Sequence, residues 1–214
     1  VDGTLTPSRR EIDNNFKCWF QENIQNYCFV TGSDRDKTIE QVGLDMFTGA
    51  KYSFNCNGND VNFYGKQTHT NDWTLPVTAR KWLEEKLEQS SFNLRTGKHI
   101  EERPGMVNFS VVGRNASLYE RKQYVDYDTK ENERNTIAKA FNTMFPDLSA
   151  KVGGDTGIDI SPKGCDKSQV VKDFDKQDKL WFFGDAIYEG GNDYPLAQVV
   201  KNYRKVTGWS QTKE

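Results

Sequence analysis

The sequence predicts an α/β protein with a parallel-sheet core, into which an α+β module of helices and antiparallel strands is inserted. Short apolar strands alternate with amphipathic helices near both ends of the chain, which is the pattern of β–α–β units. Between them the character changes, because residues 67–161 give helices followed by strands of alternating polarity. We therefore predict a discontinuous core of residues 1–66 and 162–214 and an inserted domain of residues 67–161.

The core is expected to contain helices, buried strands and one hairpin. In chain order we predict a helix (8–26), a strand (27–30), a helix (36–44), a hairpin (51–66), a helix (167–176), an apolar strand (179–183) and a last helix (194–206). The helices follow from apolar side chains at helical spacing. Ser33 or Asp34 is a suitable N-cap for the second helix, and Asn57-Gly58 is a typical hairpin turn.

The inserted module reads as a helix–strand unit that occurs twice. In chain order we predict a helix (76–91), a strand (106–112), a charged helix or loop (117–128), a helix (129–147) and a strand (152–160). The first strand follows a turn at Arg103-Pro104-Gly105 and alternates in polarity. We expect the strands of this module to be antiparallel.

The composition excludes several classes of protein. A net charge of −2 offers no basic surface to a nucleic acid, and no run approaches the ~18 apolar residues of a membrane span. The four cysteines have no paired spacing and there are only two histidines, so neither a zinc site nor a disulfide framework is expected. A reducing cytoplasm is the simplest compartment for such a chain.

The opening residues Asp2-Gly3-Thr4 carry the first candidate chemistry. Asp-Gly is first of all a turn signal, but Asp-Gly-Thr is also typical of the second half of an Asp-x-Asp-Gly-Thr loop that follows a strand. In such a loop the first aspartate attacks phosphorus and the second transfers a proton. The first aspartate and its strand would then lie directly before Val1.

Polar side chains recur where predicted strands end or helices begin. They are Asp2, Thr31, Ser33, Lys167, Asp185 and Asp193. In a parallel α/β sheet these ends meet at one crevice, where hydroxyls and a lysine suit a phosphoryl group and carboxylates suit Mg²⁺. Taken singly, each has a plainer explanation, such as a capping turn or a solvated surface lysine.

Several longer segments are specific enough to compare with known families. They are VDGTLTPSRR, TGSD, the Asn57-Gly58 turn, ERPGMVNFSVVGR followed by YERK, GGDTGIDISPKGCDK and FFGDAIYEGGNDY. These segments resemble the eukaryotic-type phosphomannomutases of the haloacid dehalogenase (HAD) superfamily. This resemblance covers nearly the whole chain. It implies a HAD-like Rossmannoid core and makes the inserted module a cap domain.

The resemblance also implies roles for the core residues. The aspartate before Val1 would be the nucleophile, and Asp2 the general acid/base, with its carbonyl on Mg²⁺. Asp185 would bind the metal, Asp193 would support the metal shell, and Lys167 would balance the charge of the aspartyl-phosphate. The TGSD turn would hold the transferring phosphoryl group through residues 31–33, and it differs from the more usual GGSD. Thr31 and Ser33 remain alternatives as the hydroxyl donor, with Gly32 between them.

In the cap and next to the first loop, the resemblance implies a substrate site. The matching arginines are Arg9, Arg103, Arg114 and Arg121. Guanidinium groups bind phosphate oxygens bidentately and stay charged, so the cap arginines could clamp the phosphate that is not reacting. Asp159 matches a carboxylate that binds sugar hydroxyls. Its usual neighbour two residues earlier is a serine, but Gly157 occupies that position.

The implied activity is the interconversion of mannose 6-phosphate and mannose 1-phosphate through an aspartyl-phosphate and a hexose bisphosphate. It would need Mg²⁺ and hexose 1,6-bisphosphate as activator, supply GDP-mannose synthesis in the cytoplasm, and belong to a homodimer joined through the caps. Two alternatives stay open. One is a Mg²⁺-dependent sugar phosphatase, and the other is a catalytically inert relative that acts as a binding protein or scaffold.

Overall fold

The computed structural model describes residues 1–213, which form two compact units. The first comprises residues 1–71 and the described residues from 164 onward, and the second comprises residues 72–163. Among residues 1–213, none of the helices combines the length and apolarity that a membrane crossing requires. The chain therefore leaves and re-enters the first unit around a continuous second unit.

Helices and strands follow one another along the chain in this order: α1 (Asn14–Asn23), β1 (Cys28–Val30), α2 (Arg35–Val42), α3 (Leu44–Gly49), β2 (Tyr52–Asn55), β3 (Asp60–Phe63), β4 (Lys66–Thr70), α4 (Val77–Gln89), β5 (Ile100–Arg103), β6 (Met106–Phe109), α5 (Leu118–Glu131), α6 (Glu133–Met144), β7 (Leu148–Gly153), β8 (Gly157–Pro162), β9 (Trp181–Gly184), α7 (Tyr194–Val199), β10 (Asn202–Lys205) and α8 (Trp209–Thr212). Two 3₁₀ segments, Cys56–Gly58 and Lys167–Asp173, lie between these elements.

The first unit contains two sheets. One has the order β1-β2-β3-β4, in which β1 and β2 are parallel and the other pairs are antiparallel. The other consists of the parallel strands β9 and β10. The β2–β3 hairpin turns through Cys56, Asn57 and Gly58, all with positive φ, so the predicted turn at Asn57-Gly58 is confirmed.

The second unit is an antiparallel sheet of order β5-β6-β8-β7 that carries three helices. Along each strand, side chains alternate between the two faces of the sheet. One face carries Val107, Phe109, Ile158 and Ile160, which pack with apolar residues of the helices into a continuous core. The same period directs Glu101, Asn108 and Asp159 to the other face, where they form a polar row across three strands.

The predicted fold class is correct, and the differences lie in single elements. The helix predicted over residues 8–26 begins only at Asn14, because the Asp13 side chain caps it by accepting from the Phe16 amide. The helix predicted over residues 36–44 ends at Gly43, whose φ of +88° breaks it from α3. The helix predicted over residues 167–176 is a 3₁₀ segment that ends at Asp173.

Four strands were not predicted, namely β4, β5, β7 and β10, and one helix was predicted too long. Strands β4 and β5 are short and polar, so their apolar signal is weak, and the strand predicted over residues 152–160 spans the turn of the β7–β8 hairpin. The helix predicted over residues 194–206 stops at Val199, and the chain continues as β10. β10 forms because β9 offers a parallel partner, with Tyr203 opposite Phe182.

Candidate active site

The side chain of Asp2, in the first loop of the chain, accepts hydrogen bonds from uncharged donors. Its Oδ1 atom accepts a hydrogen bond from the Arg9 amide at 2.8 Å and another from Gln41 Nε2. Gln41 belongs to α2 and is buried, and its Nε2 atom also donates to Thr6 Oγ1 at 3.1 Å. Arg9 adopts a φ of +57°, a conformation that is uncommon for a residue with a side chain. The loop is therefore shaped around one carboxylate oxygen of Asp2.

Asp185, at the end of β9, lies against the same loop although it is 181 residues from Thr4 along the chain. Thr4 Oγ1 donates to Asp185 Oδ1 at 2.9 Å. A Cβ atom built on Gly3 would lie only 2.5 Å from Asp185 Oδ2, and Gly3 has a φ of +69°. Glycine is thus required at position 3 both by the backbone conformation and by this close approach.

Lys167 and Asp193 form a buried ion pair. Lys167 Nζ lies 2.7 Å from Asp193 Oδ1, and each side chain is only 6% exposed. Asp193 Oδ2 accepts from the Ala186 amide at 3.0 Å, which ties the pair to the loop that follows Asp185. Burial would raise the pKa of Asp193, but the charge of Lys167 and its hydrogen bond outweigh burial and lower it.

Residues 185 and 186 connect the two pairs. Asp185 Oδ1 accepts from Thr4 of the Asp2 loop at 2.9 Å, and the amide of the next residue, Ala186, donates to Asp193 at 3.0 Å. The predicted catalytic lysine and all three predicted metal carboxylates therefore lie on adjoining segments of the first unit.

The turn of residues 31–33 follows β1, and its two hydroxyl groups differ in their surroundings. Thr31 is buried, and its Oγ1 accepts from the Ser33 amide at 3.1 Å. The carbonyl groups of Thr31 and Ser33 accept from the Asn57 and Cys56 amides, at 2.8 and 2.9 Å. Of the two N-cap candidates, Asp34 caps α2, which leaves the partly exposed Ser33 hydroxyl outside this role.

The donor set around Asp185 fits a small divalent cation. Thr4 donates to Oδ1, and Oδ2 lies against the backbone of Gly3, where the absence of a side chain makes room for the carboxylate. Mg²⁺ is typically bound through one or two carboxylates and several waters. Asp193 is engaged with Lys167, and within residues 1–213 no three His, Cys, Asp or Glu side chains are grouped as a metal site.

In the second unit, Arg103 and Arg114 converge on one acidic residue that sequence reasoning missed. Glu101 Oε2 accepts from Arg103 Nε at 2.9 Å and from Arg103 Nη2, and it lies 2.9 Å from Arg114 Nε. The third predicted cap arginine, Arg121, is buried in the first turn of α5, which Ser117 caps. Sequence reasoning missed Glu101 because β5 is short and polar and was not predicted as a strand, so nothing indicated that residues 101 and 103 share a face.

Asp159 is paired with Asn108 on the polar face of this sheet. Asn108 Nδ2 donates to Asp159 Oδ1 at 2.8 Å, and both residues are buried. A Cβ atom built on Gly157 would lie 2.6 Å from Asn108 Nδ2, and one built on Gly153 would lie 2.5 Å from Asp159 Oδ2. The Asn108 amide therefore fills the space beside Gly157, where the resemblance leads one to expect a serine.

Solved structures define the class of fold. The chain matches an IMP-nucleotidase of Plasmodium falciparum with a TM-score of 0.62 at 15% identity, covering 99% of this chain and 64%, less than two thirds, of that protein. A haloacid dehalogenase-like hydrolase of Bacteroides thetaiotaomicron matches with a TM-score of 0.56 at 12% identity, covering 100% of this chain and 96% of that one. The fold is that of the HAD-like hydrolases.

Sequence comparison defines the family. Residues 16–210 match the family model described as eukaryotic phosphomannomutase. The phosphomannomutase of Saccharomyces cerevisiae is 34% identical over 209 residues, covering 92% of this chain and 82% of the yeast protein. The chain therefore belongs to the eukaryotic phosphomannomutase family.

Proposed function

We propose that this protein interconverts mannose 6-phosphate and mannose 1-phosphate. Membership of the family supports the proposal, and the observation that carries it is the contact between the Asp2 loop and Asp185, through Thr4 Oγ1 at 2.9 Å. This contact joins a candidate proton-transfer group to a candidate metal ligand. A phosphoryl-transfer site needs both within reach of one phosphate.

Asp2 acts as the general acid/base in this proposal. The donors on its Oδ1 fix the carboxylate, so its second oxygen can take a proton from the sugar hydroxyl and return it. The phosphoryl group is accepted by the aspartate that the resemblance implies directly before Val1, which forms an aspartyl-phosphate. Lys167 offsets the charge of that intermediate, and Ser33, more exposed than Thr31, donates to the phosphoryl oxygens beside Gly32.

Mg²⁺ is the proposed metal, with the Asp2 carbonyl and the Asp185 side chain as ligands and Asp193 as support. When bound, it would neutralise charge on the phosphoryl oxygens. Asp193 orients Lys167 through the 2.7 Å ion pair. Hexose 1,6-bisphosphate would act as activator, because it phosphorylates the nucleophile and starts the cycle.

The second unit is proposed to be the cap, and its arginines to bind the phosphate that is not reacting. A hexose bisphosphate has a phosphate at each end, so the same arginines can hold either end while the other reacts. Arg103, Arg114 and Arg121 supply the charge, Arg9 is a further substrate contact from the first unit, and Asp159 accepts bonds from sugar hydroxyls. Guanidinium forks suit this role because they remain charged at every physiological pH.

A sugar phosphatase is the second candidate. The observation that favours it is Gly157, which lacks the hydroxyl that the resemblance leads one to expect beside Asp159. A weaker grip on the sugar would let water reach the aspartyl-phosphate. Hydrolysis would then replace transfer back to the sugar.

The deciding experiment is ³¹P NMR of the protein with mannose 1-phosphate, Mg²⁺ and a trace of glucose 1,6-bisphosphate. A mutase forms mannose 6-phosphate until both isomers are at equilibrium, and added bisphosphate accelerates it. A phosphatase releases inorganic phosphate and hydrolyses the bisphosphate. Excess EDTA should stop the reaction and added Mg²⁺ should restore it, whereas turnover in EDTA would contradict the metal assignment.

The remaining proposals concern the setting of the enzyme. We place it in the cytoplasm, in support of which Cys18, Cys28, Cys56 and Cys165 are free thiols. Its product would supply GDP-mannose synthesis. A homodimer joined through the second unit is supported by exposed apolar side chains there, including Leu118 and Tyr119.

A further inference from the structure

Glu101 brings two arginines from different segments to one point. On β5, Glu101 and Arg103 share a face, and Arg114 comes from the segment after β6. The Arg114 backbone is itself fixed, since its amide donates to the Lys98 carbonyl at 2.7 Å. Both guanidinium groups reach the same oxygen, Glu101 Oε2, with each Nε atom at 2.9 Å.

The charges explain why the arrangement needs a carboxylate. The side chains of Arg103 and Arg114 are only 7% and 18% exposed, and that of Glu101 is 30% exposed. Two guanidinium groups this close repel each other unless an anion lies between them. Burial would raise the pKa of Glu101, but the charges of both arginines outweigh it and lower the pKa. Glu101 is therefore ionised at neutral pH and compensates half of the positive charge.

We propose that Glu101 is a positioning residue that presets Arg103 and Arg114 for a phosphate dianion. The proposal rests on the proposed function, because it adds a residue to the same phosphate clamp. A guanidinium group is planar and rigid, so the hydrogen bonds from Arg103 Nε and Nη2 to Glu101 set the plane of the Arg103 guanidinium. The ion pair at 2.9 Å holds the Arg114 guanidinium beside it. An arginine side chain that is mobile before binding loses rotamer entropy when it binds phosphate. Because Glu101 already orders both arginines in the free protein, this entropy is not lost when phosphate binds.

Glu102 provides a matched control on the same strand. It is the next residue, points to the opposite face, and pairs with Arg80 on the surface, where the Glu102 side chain is 52% exposed. Changing Glu102→Gln removes the same charge and the same kind of ion pair. It leaves Arg103 and Arg114 in place.

The experiment compares Glu101→Gln with Glu102→Gln in the full chain, by steady-state kinetics on mannose 1-phosphate and by calorimetric titration with inorganic phosphate. For Glu101→Gln we expect KM and the phosphate Kd to rise about tenfold, or about 1.4 kcal/mol, with kcat within about twofold of the wild type. Glu102→Gln should match the wild type. Glu101→Asp, which keeps the charge on a shorter side chain, should fall between the wild type and Glu101→Gln.

The proposal is wrong if Glu101→Gln binds phosphate as tightly as Glu102→Gln or more tightly, or if kcat falls while KM stays the same. If Glu101→Gln does not fold, Glu101→Asp against Glu102→Asp decides, and a phosphate Kd equal in both would overturn the proposal. The phosphate titration needs no turnover. A wild type without mutase activity would therefore overturn the proposed function alone, while the Kd values still test the positioning role.

Discussion

Removing the charge of Lys167 should strongly destabilise the first unit. In Lys167→Met, Asp193 stays buried at 6% exposure without its cation at 2.7 Å. Breaking a buried ion pair by removing one partner costs about 3–5 kcal/mol. With an m-value of about 2 kcal/mol per molar urea, the unfolding midpoint should fall by roughly 2 M.

Urea unfolding, read by pulsed hydrogen exchange with mass spectrometry, measures this change because peptides of the two units are followed separately. Peptides of the first unit should shift, and those of residues 72–163 should not. Lys172→Met is the matched control, since Lys172 lies in the same 3₁₀ segment and is exposed. Its midpoint should stay within about 0.3 M of the wild type, because surface substitutions usually change stability by less than 0.5 kcal/mol.

The pH dependence of the unfolding midpoint tests the same ion pair independently. The folded-state pKa of Asp193 is lowered from its ordinary value of 3.8, so its stabilising contribution is present above that value and is lost as the pH falls through the lowered pKa. The wild type should therefore lose this contribution in acid below about pH 4. Lys167→Met lacks this stabilising contribution at every pH, so the difference in stability between wild type and variant should become smaller in acid.

The double variant Lys167→Met/Asp193→Asn completes the cycle. Without either charge, most of the lost stability should return, because replacing both partners of a buried pair is often close to neutral. A midpoint for Lys167→Met equal to that of Lys172→Met would refute the reasoning. So would a double variant whose loss is the sum of the two single losses.

Two further predictions concern single residues of the site. Asp2→Asn should lower kcat by about 10²–10⁴-fold and leave the Kd for mannose 1-phosphate, measured by calorimetry, nearly unchanged; loss of folding and binding together would assign Asp2 a structural role instead. Gly157→Ser should displace the Asn108 amide from Asp159, since a Cβ there lies 2.6 Å from Asn108 Nδ2, and cost about 1–3 kcal/mol. Thermal unfolding measures this cost, and an unchanged melting temperature would show that the serine fits beside Asn108.

The sequence could predict the fold class because local pattern and tertiary structure agree over most of the chain. The Asn57-Gly58 turn and α6 follow from local residues alone. β10 could not be predicted, because Asn202–Lys205 become a strand only through pairing with Trp181–Gly184. A local sequence pattern that favours a helix contains no information about which distant strand is available for pairing in the folded chain.

The site was predictable as far as residue types at strand ends can indicate it. Lys167 and Asp185 stand out as charged residues near the ends of apolar strands, and Asp2 stands out through the Asp-Gly-Thr motif. Gln41 and Glu101 do not stand out, because a glutamine in a helix and a glutamate in a polar strand look like surface residues. Their roles depend on what lies opposite, the Asp2 carboxylate for Gln41 and the Arg114 guanidinium for Glu101, and only the folded chain reveals that.

The most direct test of the proposed clamp is the KM of Arg114→Ala for mannose 1-phosphate and mannose 6-phosphate, measured in both directions of the reaction. If Arg114 grips whichever phosphate is not reacting, both KM values should rise by a similar factor. The loss of charge-assisted hydrogen bonds worth about 1.5–3 kcal/mol corresponds to roughly 10–150-fold. Unchanged KM values, or a rise for one substrate alone, would contradict a clamp that serves both ends of the sugar.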